Sequence, residues 1–233
     1  MSNRPKLDVA AARRLIETAL AEDLGAAGDI TTDAVIGDGT MAAGRLIARQ
    51  TGIVCGIDVA RLVFEAVDDR VRLDADTHDG ARVDADQTIA RVSGPAKGIL
   101  AAERTALNLL QHLSGIATLT SEAVARTAGT RAKILDTRKT LPGLRSLEKY
   151  AVTVGGGESH RRGLFDGVLL KDNHIALAGG IGPAMRSIRG SLGQDVSVEV
   201  EAETLDQVSE AVEAGADVIM LDNMSLEMMA EAV

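Results

Sequence analysis

The chain has 233 residues, of which 45% are hydrophobic, enough to bury one large domain or two smaller ones. A net charge of −9 and an aromatic content of 1% argue against nucleic-acid binding, which relies on cationic surfaces and stacking rings. The single cysteine excludes an intramolecular disulfide and a cysteine-based zinc cluster, and no apolar run approaches the ~18 residues that span a bilayer.

Two short strings bear on the environment of the protein. Residues Met1–Lys6 lack the apolar segment of a signal peptide, so the cytoplasm is the expected compartment. Cys55 lies in the apolar string Gly52–Gly56, which is typical of a packed core thiol rather than a reactive nucleophile.

The part of the chain before Gly94-Pro95 mixes strands and helices without strict alternation. Asp8 can cap a helix that ends near Asp23, and a loop follows over Gly25–Thr32. The hydrophobic pattern predicts strands at residues 41–50, 71–76 and 88–92 and a helix at residues 57–67. These elements favour a small α+β sheet domain.

Helical spacing then extends from Gly98 to about Leu113. The dipeptide Ser114-Gly115 is expected to end this connecting helix before a second helix that reaches Ala128. We therefore predict an N-terminal α+β domain with its connecting helix over residues 1–113 and an α/β barrel domain over residues 114–233.

After Gly129, short apolar runs alternate with helical stretches, and each run ends in charged residues. The runs are Arg131–Leu135, Gly167–Leu170, Val196–Val200 and Asp217–Leu221, followed respectively by Asp136, Lys171, Glu201 and Asp222. Buried strands with charged side chains at their carboxyl ends are typical of a parallel barrel whose loops build an active site. The expected fold is α/β, an incomplete parallel α/β barrel preceded by the small α+β sheet domain.

The first two of these clusters are mostly basic and the last two are acidic. Residues 131–174 contain nine Lys or Arg and five Asp or Glu, a formal charge of +4, whereas the rest of the chain carries −13. A cationic island on an acidic protein favours a polyanionic small molecule over a long nucleic acid, which most of the surface would repel.

The string Asp136–Arg145 is the most informative part of the island. Arg138 offers a planar fork that suits a carboxylate, and Lys139 offers a compact charge that suits a carboxylate or a phosphate. The alternative is a solvated run of charges after a strand.

The string Gly155–Leu164 is a weaker signal. Its three successive glycines, residues 155–157, would let backbone amides approach an anion, although such a run is often only a flexible turn. His160 and Arg161 are the candidate binding residues of this string.

Lys171 leaves two chemistries open. After the buried run Val168–Leu170, a lysine could bind an anion, or it could be a desolvated amine that forms a Schiff base, as in aldolases. Glu201 and Asp222 end successive strands, so their carboxylates could converge on ribose hydroxyls or on Mg²⁺, a hard cation that takes carboxylate and phosphate oxygens.

Several strings, in order along essentially the whole chain, resemble the family of the quinolinate phosphoribosyltransferases, the carboxylating nicotinate-nucleotide pyrophosphorylases of the type II phosphoribosyltransferase fold. The strings are Ala21–Gly25 with Gly28–Thr32, Ala102–Asn108, Ser114–Thr118, Asp136–Arg145, Gly155–Leu164, Lys171–Ile175 and Leu221–Asn223. The resemblance implies an enzyme of NAD biosynthesis, a glycosyltransferase that converts quinolinate and phosphoribosyl pyrophosphate, with Mg²⁺, to nicotinate mononucleotide, pyrophosphate and CO₂.

The resemblance also implies roles for individual side chains. The implied substrate-binding residues are Arg104, Thr137, Arg138, Lys139, His160, Arg161, Lys171, Glu201 and Asp222, and the implied catalytic residues are Lys139, Lys171, Glu201 and Asp222. The cations would hold the quinolinate dicarboxylate, while Glu201 and Asp222 would hold the ribose hydroxyls and Mg²⁺. A homodimer is implied, in which Arg104 is donated to the neighbouring site.

Two departures from the family pattern are visible. Ser159 stands where the family usually has asparagine before the histidine-arginine pair. Family chains continue past the strand that ends at Asp222 to further β-α units with a loop for the 5′-phosphate, so the barrel domain is expected to be truncated at its C-terminal end.

Three other functions remain open on the sequence. A related pyrophosphorylase-like protein associated with molybdenum transport would share the fold and take a different acceptor. A Schiff-base aldolase would use Lys171. A catalytically inactive fragment would only dimerise.

Overall fold

The computed structural model describes residues 6–233 and divides the chain into two compact units, one reaching to Arg162 and one spanning Gly163–Val233. The helices of the first unit are α1 (Val9–Leu24), α2 (Ile30–Val35), α3 (Ile57–Val67), α4 (Ala96–Arg126) and α5 (Arg145–Val154), and its strands are β1 (Met41–Ile47), β2 (Gly52–Ile53), β3 (Arg72–Ala75), β4 (Arg82–Val83) and β5 (Thr88–Pro95). The second unit contains β6 (Val168–Leu170), α6 (Asp172–Ala178), α7 (Ile181–Leu192), β7 (Val198–Ala202), α8 (Leu205–Glu213), β8 (Val218–Leu221) and α9 (Leu226–Ala232). Among residues 6–233, no helix combines the length and the apolar composition needed to cross a membrane.

The main sheet of the first unit is antiparallel, with the strand order β1-β5-β3. In the central strand β5, Val92 lies opposite Gly44 of β1 and Leu73 of β3. Ala90 and Val92 are buried, and Arg91 between them is exposed, because successive side chains of a strand point to opposite faces. The predicted strands and the α+β character of this region are confirmed, whereas the short pair of β2 and β4 was not predicted.

Helix α3 begins with help from a side chain that is distant in sequence. Gly56, in the left-handed region with φ 105°, and Ile57 both donate their backbone N–H groups to the Asp79 carboxylate, at 2.9 and 3.0 Å. Tyr150 of α5 donates its hydroxyl to the same carboxylate at 2.7 Å. Asp79 therefore satisfies N–H groups at the start of α3 and ties α5 to it. Burial, together with the charge of Asp79, raises the pKa of the Tyr150 hydroxyl.

The raised pKa of Tyr150 predicts an alkaline sensitivity that one substitution should remove. A group whose folded-state pKa lies above its ordinary value of 10.0 stabilises the fold fully below that pH and loses this contribution as the pH rises further. We expect the free energy of unfolding of the wild type to fall above pH 10 more steeply than that of Tyr150→Phe, by at most about 1.4 kcal/mol per pH unit. Urea denaturation on both sides of pH 10 measures the two slopes, and equal slopes would contradict the prediction.

Helix α4 runs without a break for 31 residues, so the helix end predicted at Ser114-Gly115 is wrong. The Cys55 N–H donates to Ser114 Oγ at 2.9 Å, and this hydroxyl donates to the Cys55 carbonyl at 3.2 Å. Leu113 and Ala117 on either side are fully buried and continue one apolar stripe. Packing along this stripe therefore overrides the weak helix preference of the dipeptide.

The residues next to this helix bear on two other predictions. The domain boundary predicted between residues 113 and 114 falls inside α4, and the extent of the two domains stays a prediction. Cys55 is fully buried, and burial raises the pKa of its thiol. The prediction of a packed core thiol is therefore confirmed, since the reactive form of cysteine is the thiolate.

The three glycines at residues 155–157 end α5 and pack against neighbouring chain. Their N–H groups all donate to carbonyls of α5, Gly155 to Ala151, Gly156 to Thr153 and Gly157 to Val152. A Cβ at Gly155 would lie 2.5 Å from the Ala117 carbonyl oxygen, and a Cβ at Gly157 would lie 2.7 Å from the Val152 side chain. The predicted use of these amides for an anion is wrong, because the C-terminal turn of α5 already occupies them.

Gly155→Ala is expected to destabilise the protein by about 1–3 kcal/mol, the usual range for overpacking. The added methyl group would meet the Ala117 carbonyl at 2.5 Å and Thr120 Cβ at 2.8 Å. Gly115→Ala in α4 is the matched control, because a Cβ there meets nothing within 4 Å and alanine stabilises a helix by about 0.5–1 kcal/mol relative to glycine. Urea denaturation compares the two variants, and an unchanged stability of Gly155→Ala would contradict the packing argument.

The strand predicted at Arg131–Leu135 is wrong. Leu135 forms only an isolated parallel bridge with Glu158, in which the Asp136 N–H donates to the Glu158 carbonyl at 3.1 Å and the Glu158 N–H donates to the Ile134 carbonyl at 2.8 Å. Leu135 is 50% exposed, so burial contributes little to extending the bridge into a strand. The bridge nevertheless sets residue 136 beside the segment that leads to His160.

The second unit is built on a parallel sheet with the strand order β6-β7-β8. Helices α6 and α7 connect β6 to β7, and α8 connects β7 to β8. In β7, Val198 and Val200 are fully buried, whereas Glu199 and Glu201 between and after them are half-buried on the other face. The predicted β-α alternation of this region and the α/β fold class are confirmed.

Candidate active site

The loop of residues 136–144 carries the first group of predicted site residues and is tied to α5. Arg145, the first residue of α5, donates from Nε to Thr140 Oγ1 at 3.0 Å and from Nη2 to the Arg138 carbonyl at 3.5 Å. Glu148 of α5 accepts the Leu141 N–H at 3.2 Å. These contacts fix the backbone on which Arg138 stands.

The three predicted substrate-binding side chains of this loop differ in exposure. Thr137 Oγ1 accepts the Lys139 N–H at 3.0 Å, so this hydroxyl shapes the turn. Lys139 is exposed and Arg138 is half-buried, and the buried Nε of Arg138 has no hydrogen-bond partner among residues 6–233. A buried donor without a partner is costly, and a carboxylate is the acceptor that fits a guanidinium best. The loop therefore suits a bound carboxylate.

A buried ion pair joins this loop to the segment that carries His160. The Asp136 and Lys149 side chains contact each other and are only 5% and 4% exposed. Asp136 accepts the His160 N–H at 2.9 Å and the Ser159 hydroxyl at 3.1 Å, and Lys149 Nζ donates to the His160 carbonyl at 3.0 Å. Ser159 thus still supplies a side-chain hydrogen bond where asparagine was expected. The pair was not predicted, since its members are 13 residues apart on a loop and a helix, and no local spacing rule relates them.

The remaining predicted residues of the first unit lie on α4 and on the segment after the glycines. His160 and Arg161 are half-buried, whereas Arg104 is exposed on α4. About two helical turns after Arg104, His112 Nε2 lies 2.9 Å from Glu148 Oε1 of α5. An exposed position suits an arginine that reaches another subunit, and this role stays a prediction.

In the second unit, Lys171, Glu201 and Asp222 share one face at the carboxyl ends of the strands. Glu201 lies opposite Met220 of β8, and Asp222 continues the ladder by donating its N–H to the Ala202 carbonyl at 2.9 Å. Met220 and Asp222 are two residues apart, so their side chains point to the same face of the sheet. Asp222 therefore lies on the face of Glu201. Lys171 Nζ lies 3.1 Å from Glu201 Oε1, with side chains 42% and 16% exposed.

The donor set of Glu201 and Asp222 fits Mg²⁺ that is shared with a phosphorylated substrate. Among residues 6–233, no group of three or more His, Cys, Asp or Glu side chains could hold a metal ion. Mg²⁺ does not require such a group, because it is commonly bound by one or two carboxylates, waters and substrate phosphates. The contacts with Lys171 and with Asn223 Nδ2, which donates to Asp222 Oδ2 at 3.0 Å, each use one oxygen, so each carboxylate retains a second.

Sequence models of one family match nearly the whole chain. The model described as quinolinate phosphoribosyl transferase, N-terminal domain, matches residues 29–114, and the model of the C-terminal domain matches residues 116–233. The chain belongs to the quinolinate phosphoribosyltransferase family. The resemblance that the sequence strings carried is thereby confirmed.

Individual members of the quinolinate phosphoribosyltransferase family are closely similar to this chain. A carboxylating nicotinate-nucleotide pyrophosphorylase of Mycobacterium leprae (strain TN) is 46% identical over 215 residues, which cover 91% of this chain and 75% of that protein. A probable enzyme of the same name from Bacillus subtilis (strain 168) is 45% identical over 211 residues, covering 91% of this chain and 72% of that protein.

Solved structures of the family have the same fold. NadC from Streptococcus pyogenes superposes with a TM-score of 0.92 at 40% identity, covering 97% of this chain and 80% of that one. The nicotinate-nucleotide pyrophosphorylase from Francisella tularensis has a TM-score of 0.92 at 40% identity, covering 100% of this chain and 82% of that one.

Proposed function

We propose that this chain transfers the phosphoribosyl group of phosphoribosyl pyrophosphate to quinolinate and so forms nicotinate mononucleotide, pyrophosphate and CO₂ in NAD biosynthesis. The observation that carries the proposal is the grouping of Lys171, Glu201 and Asp222 on one face at the carboxyl ends of parallel strands, where α/β barrels place their active sites. The names of the similar proteins support the same activity.

The cations of the first unit match a dicarboxylate. Arg138, with its buried Nε, provides a fork for one carboxylate, and Lys139 provides a point charge for a carboxylate or a phosphate. His160 and Arg161, on the segment held by Asp136, would bind the remaining carboxylate.

The reaction needs two bond changes. The pyridine nitrogen of quinolinate forms a bond to C1′ of the ribose as the C1′–O bond to pyrophosphate breaks, with its electron pair leaving on the pyrophosphate oxygen. Positive charge develops on the ribose ring, and the Glu201 and Asp222 carboxylates stabilise it. The 2-carboxylate is then lost as CO₂, and the electron pair that remains beside the pyridinium nitrogen takes up one proton. Neither step requires a general base.

Glu201 and Asp222 are also the residues that would hold Mg²⁺. When bound, this ion would neutralise charge on the leaving pyrophosphate. Lys171 and Lys139 would hold the carboxylate and phosphate groups in place. The two carboxylates would thus serve the sugar and the metal ion, and the lysines would serve the anionic ends of both substrates.

A homodimer in the cytoplasm is the proposed working form. The exposed position of Arg104 on α4 suits a side chain that completes the quinolinate site of a partner subunit. Size-exclusion chromatography with light scattering tests the dimer. Mixing Arg104→Ala with Lys171→Ala subunits tests the donation, since only shared sites would restore activity to the mixed dimer.

The direct test is incubation of the chain with quinolinate, phosphoribosyl pyrophosphate and Mg²⁺. We expect nicotinate mononucleotide by mass spectrometry, together with one pyrophosphate and one CO₂ per nucleotide. Competition by other dicarboxylates separates this activity from the molybdenum-associated alternative. That protein would take a different acceptor and is not expected to prefer quinolinate over other dicarboxylates. A chain that binds quinolinate but forms no nucleotide would refute the proposed reaction.

The contact of Lys171 with Glu201 argues against the aldolase alternative. The ammonium form of Lys171 makes the ion pair at 3.1 Å, whereas a Schiff base requires the neutral amine. Borohydride trapping with carbonyl substrates is therefore expected to label no lysine. A reduced adduct on Lys171 would support the aldolase.

A further inference from the structure

We propose that Asp136 and Lys149 are positioning residues, which hold the backbone of His160 in the conformation that binds quinolinate. This inference rests on the proposed function. Neither side chain is placed against the substrate. Their role would be to set the direction from which His160 and Arg161 meet it.

The contacts around His160 are arranged on both sides of its Cα atom. The His160 N–H donates to Asp136 Oδ1 at 2.9 Å, and the His160 carbonyl accepts from Lys149 Nζ at 3.0 Å. The two peptide groups that flank the Cα atom are thus each bound by one member of the same ion pair. Because those peptide groups define the direction of the Cα–Cβ bond, the pair fixes where the histidine side chain starts.

The preceding residues add to this constraint. The Ser159 hydroxyl donates to Asp136 Oδ2 at 3.1 Å. One residue earlier, Glu158 is bound on both its N–H and its carbonyl through the bridge to Ile134 and Asp136. The segment is therefore held by backbone contacts up to residue 158 and by the ion pair at residues 159 and 160.

Stability alone does not explain an ion pair that is 5% and 4% exposed. Removing two charges from water is expensive, and hydrophobic residues of similar volume are often as stabilising or more so. What apolar side chains could not supply is an acceptor for one peptide group and a donor for the next. The geometry therefore points to orientation of the His160 segment as the reason for these two residue types.

The test is a double variant that removes both charges without leaving either one buried alone. Asp136→Leu with Lys149→Met replaces both charged side chains with apolar ones and abolishes their contacts with residues 159 and 160. We expect the Kd for quinolinate to rise about 10- to 100-fold, the range for losing a supporting contact or misplacing a binding group. The KM for phosphoribosyl pyrophosphate should stay near the wild-type value. Asp136→Asn with Lys149→Met keeps an oxygen that can accept the His160 N–H, so its Kd for quinolinate should rise less. This second variant keeps the test decisive if the first variant folds poorly.

A second ion pair in the same region provides the matched control. Lys133 Nζ lies 2.9 Å from Glu158 Oε1, with side chains 65% and 53% exposed. Lys133→Met with Glu158→Gln removes one charge of each sign, as the test variant does, and it does so beside the bridge of Leu135 with Glu158. Its Kd for quinolinate should stay within about twofold of wild type, because exposed pairs contribute little.

Amide hydrogen exchange gives a readout that needs no substrate. The His160 amide should exchange faster in the Asp136→Leu/Lys149→Met protein than in the wild type and the control. Faster exchange with an unchanged Kd for quinolinate would show that the pair only stabilises the fold and would overturn the inference. Unchanged exchange would overturn it as well. A wild type that binds no quinolinate would instead refute the proposed function, and the inference with it.

Discussion

Arg138→Ala is expected to raise the KM for quinolinate at least about 30-fold, which corresponds to about 2 kcal/mol, the lower end for truncating one partner of a desolvated charge pair. The reason is that Arg138 stands on a loop tied to α5 through Arg145 and Glu148, and its buried Nε has no acceptor among residues 6–233. The KM for phosphoribosyl pyrophosphate should change much less. Steady-state kinetics with each substrate varied in turn measures the two constants.

Two further variants separate the charge from the fork. Arg138→Lys keeps the charge but loses the planar pair of donors, so its KM for quinolinate should lie between those of the wild type and Arg138→Ala. Arg131→Ala removes an exposed arginine that precedes the loop and should leave both constants near wild type. Equal KM values for quinolinate in Arg138→Ala and Arg131→Ala would contradict the assigned role.

The second unit followed from sequence because its signals are local. Each strand is a short run rich in aliphatic residues, and the alternation in β7 places Glu199 and Glu201 on the face opposite Val198 and Val200. A charged residue that comes immediately after such a run is predicted to lie at the carboxyl edge of a parallel sheet. The contact of Lys171 with Glu201 is the structural counterpart of that prediction.

The errors in the first unit have a common physical cause. Ser114-Gly115 has the composition of a helix end, yet the hydrogen bonds of Ser114 with Cys55 and the burial of Leu113 keep α4 continuous. The glycines at residues 155–157 have the composition of an anion-binding loop, yet their amides already donate to carbonyls of α5, and Gly155 approaches Ala117 too closely to carry a Cβ. In both cases residues far along the chain, Cys55 for Ser114 and Ala117 for Gly155, pack against the segment, and one sequence does not reveal such partners.

The buried pair of Asp136 and Lys149 shows the same limit for function. From sequence, both residues belonged to the cationic island of residues 131–174, and the candidate residues were those that suit an anion directly. Their burial depends on the bridge between Leu135 and Glu158, which forms where a longer strand was expected. Residues that support a site from behind therefore become visible only when the fold is known, because their function lies in contacts with backbone groups.

Glu201→Gln is expected to lower kcat about 100- to 1000-fold, the usual effect of removing one group that stabilises charge in the transition state. Glutamine keeps the volume of the side chain, so β7 and its pairing with β8 should persist. The lost charge is the one that we propose faces the positive ribose, and it is also the partner of Lys171 at 3.1 Å. The affinity for quinolinate should therefore not fall, since Lys171 is released from its ion pair and stays available to an anion.

These two outcomes distinguish the proposed role of Glu201 from a general loss of structure. Pre-steady-state measurement of nucleotide formation reports the loss in kcat, and calorimetry reports the Kd for quinolinate. Glu203→Gln, at an exposed position just after β7, is the matched control and should keep both values near wild type. If Glu201→Gln and Glu203→Gln have the same kcat, the charge of Glu201 does not act on the reacting sugar. If Glu201→Gln instead loses quinolinate affinity along with kcat, its main role is to hold Lys171 in place for the dicarboxylate.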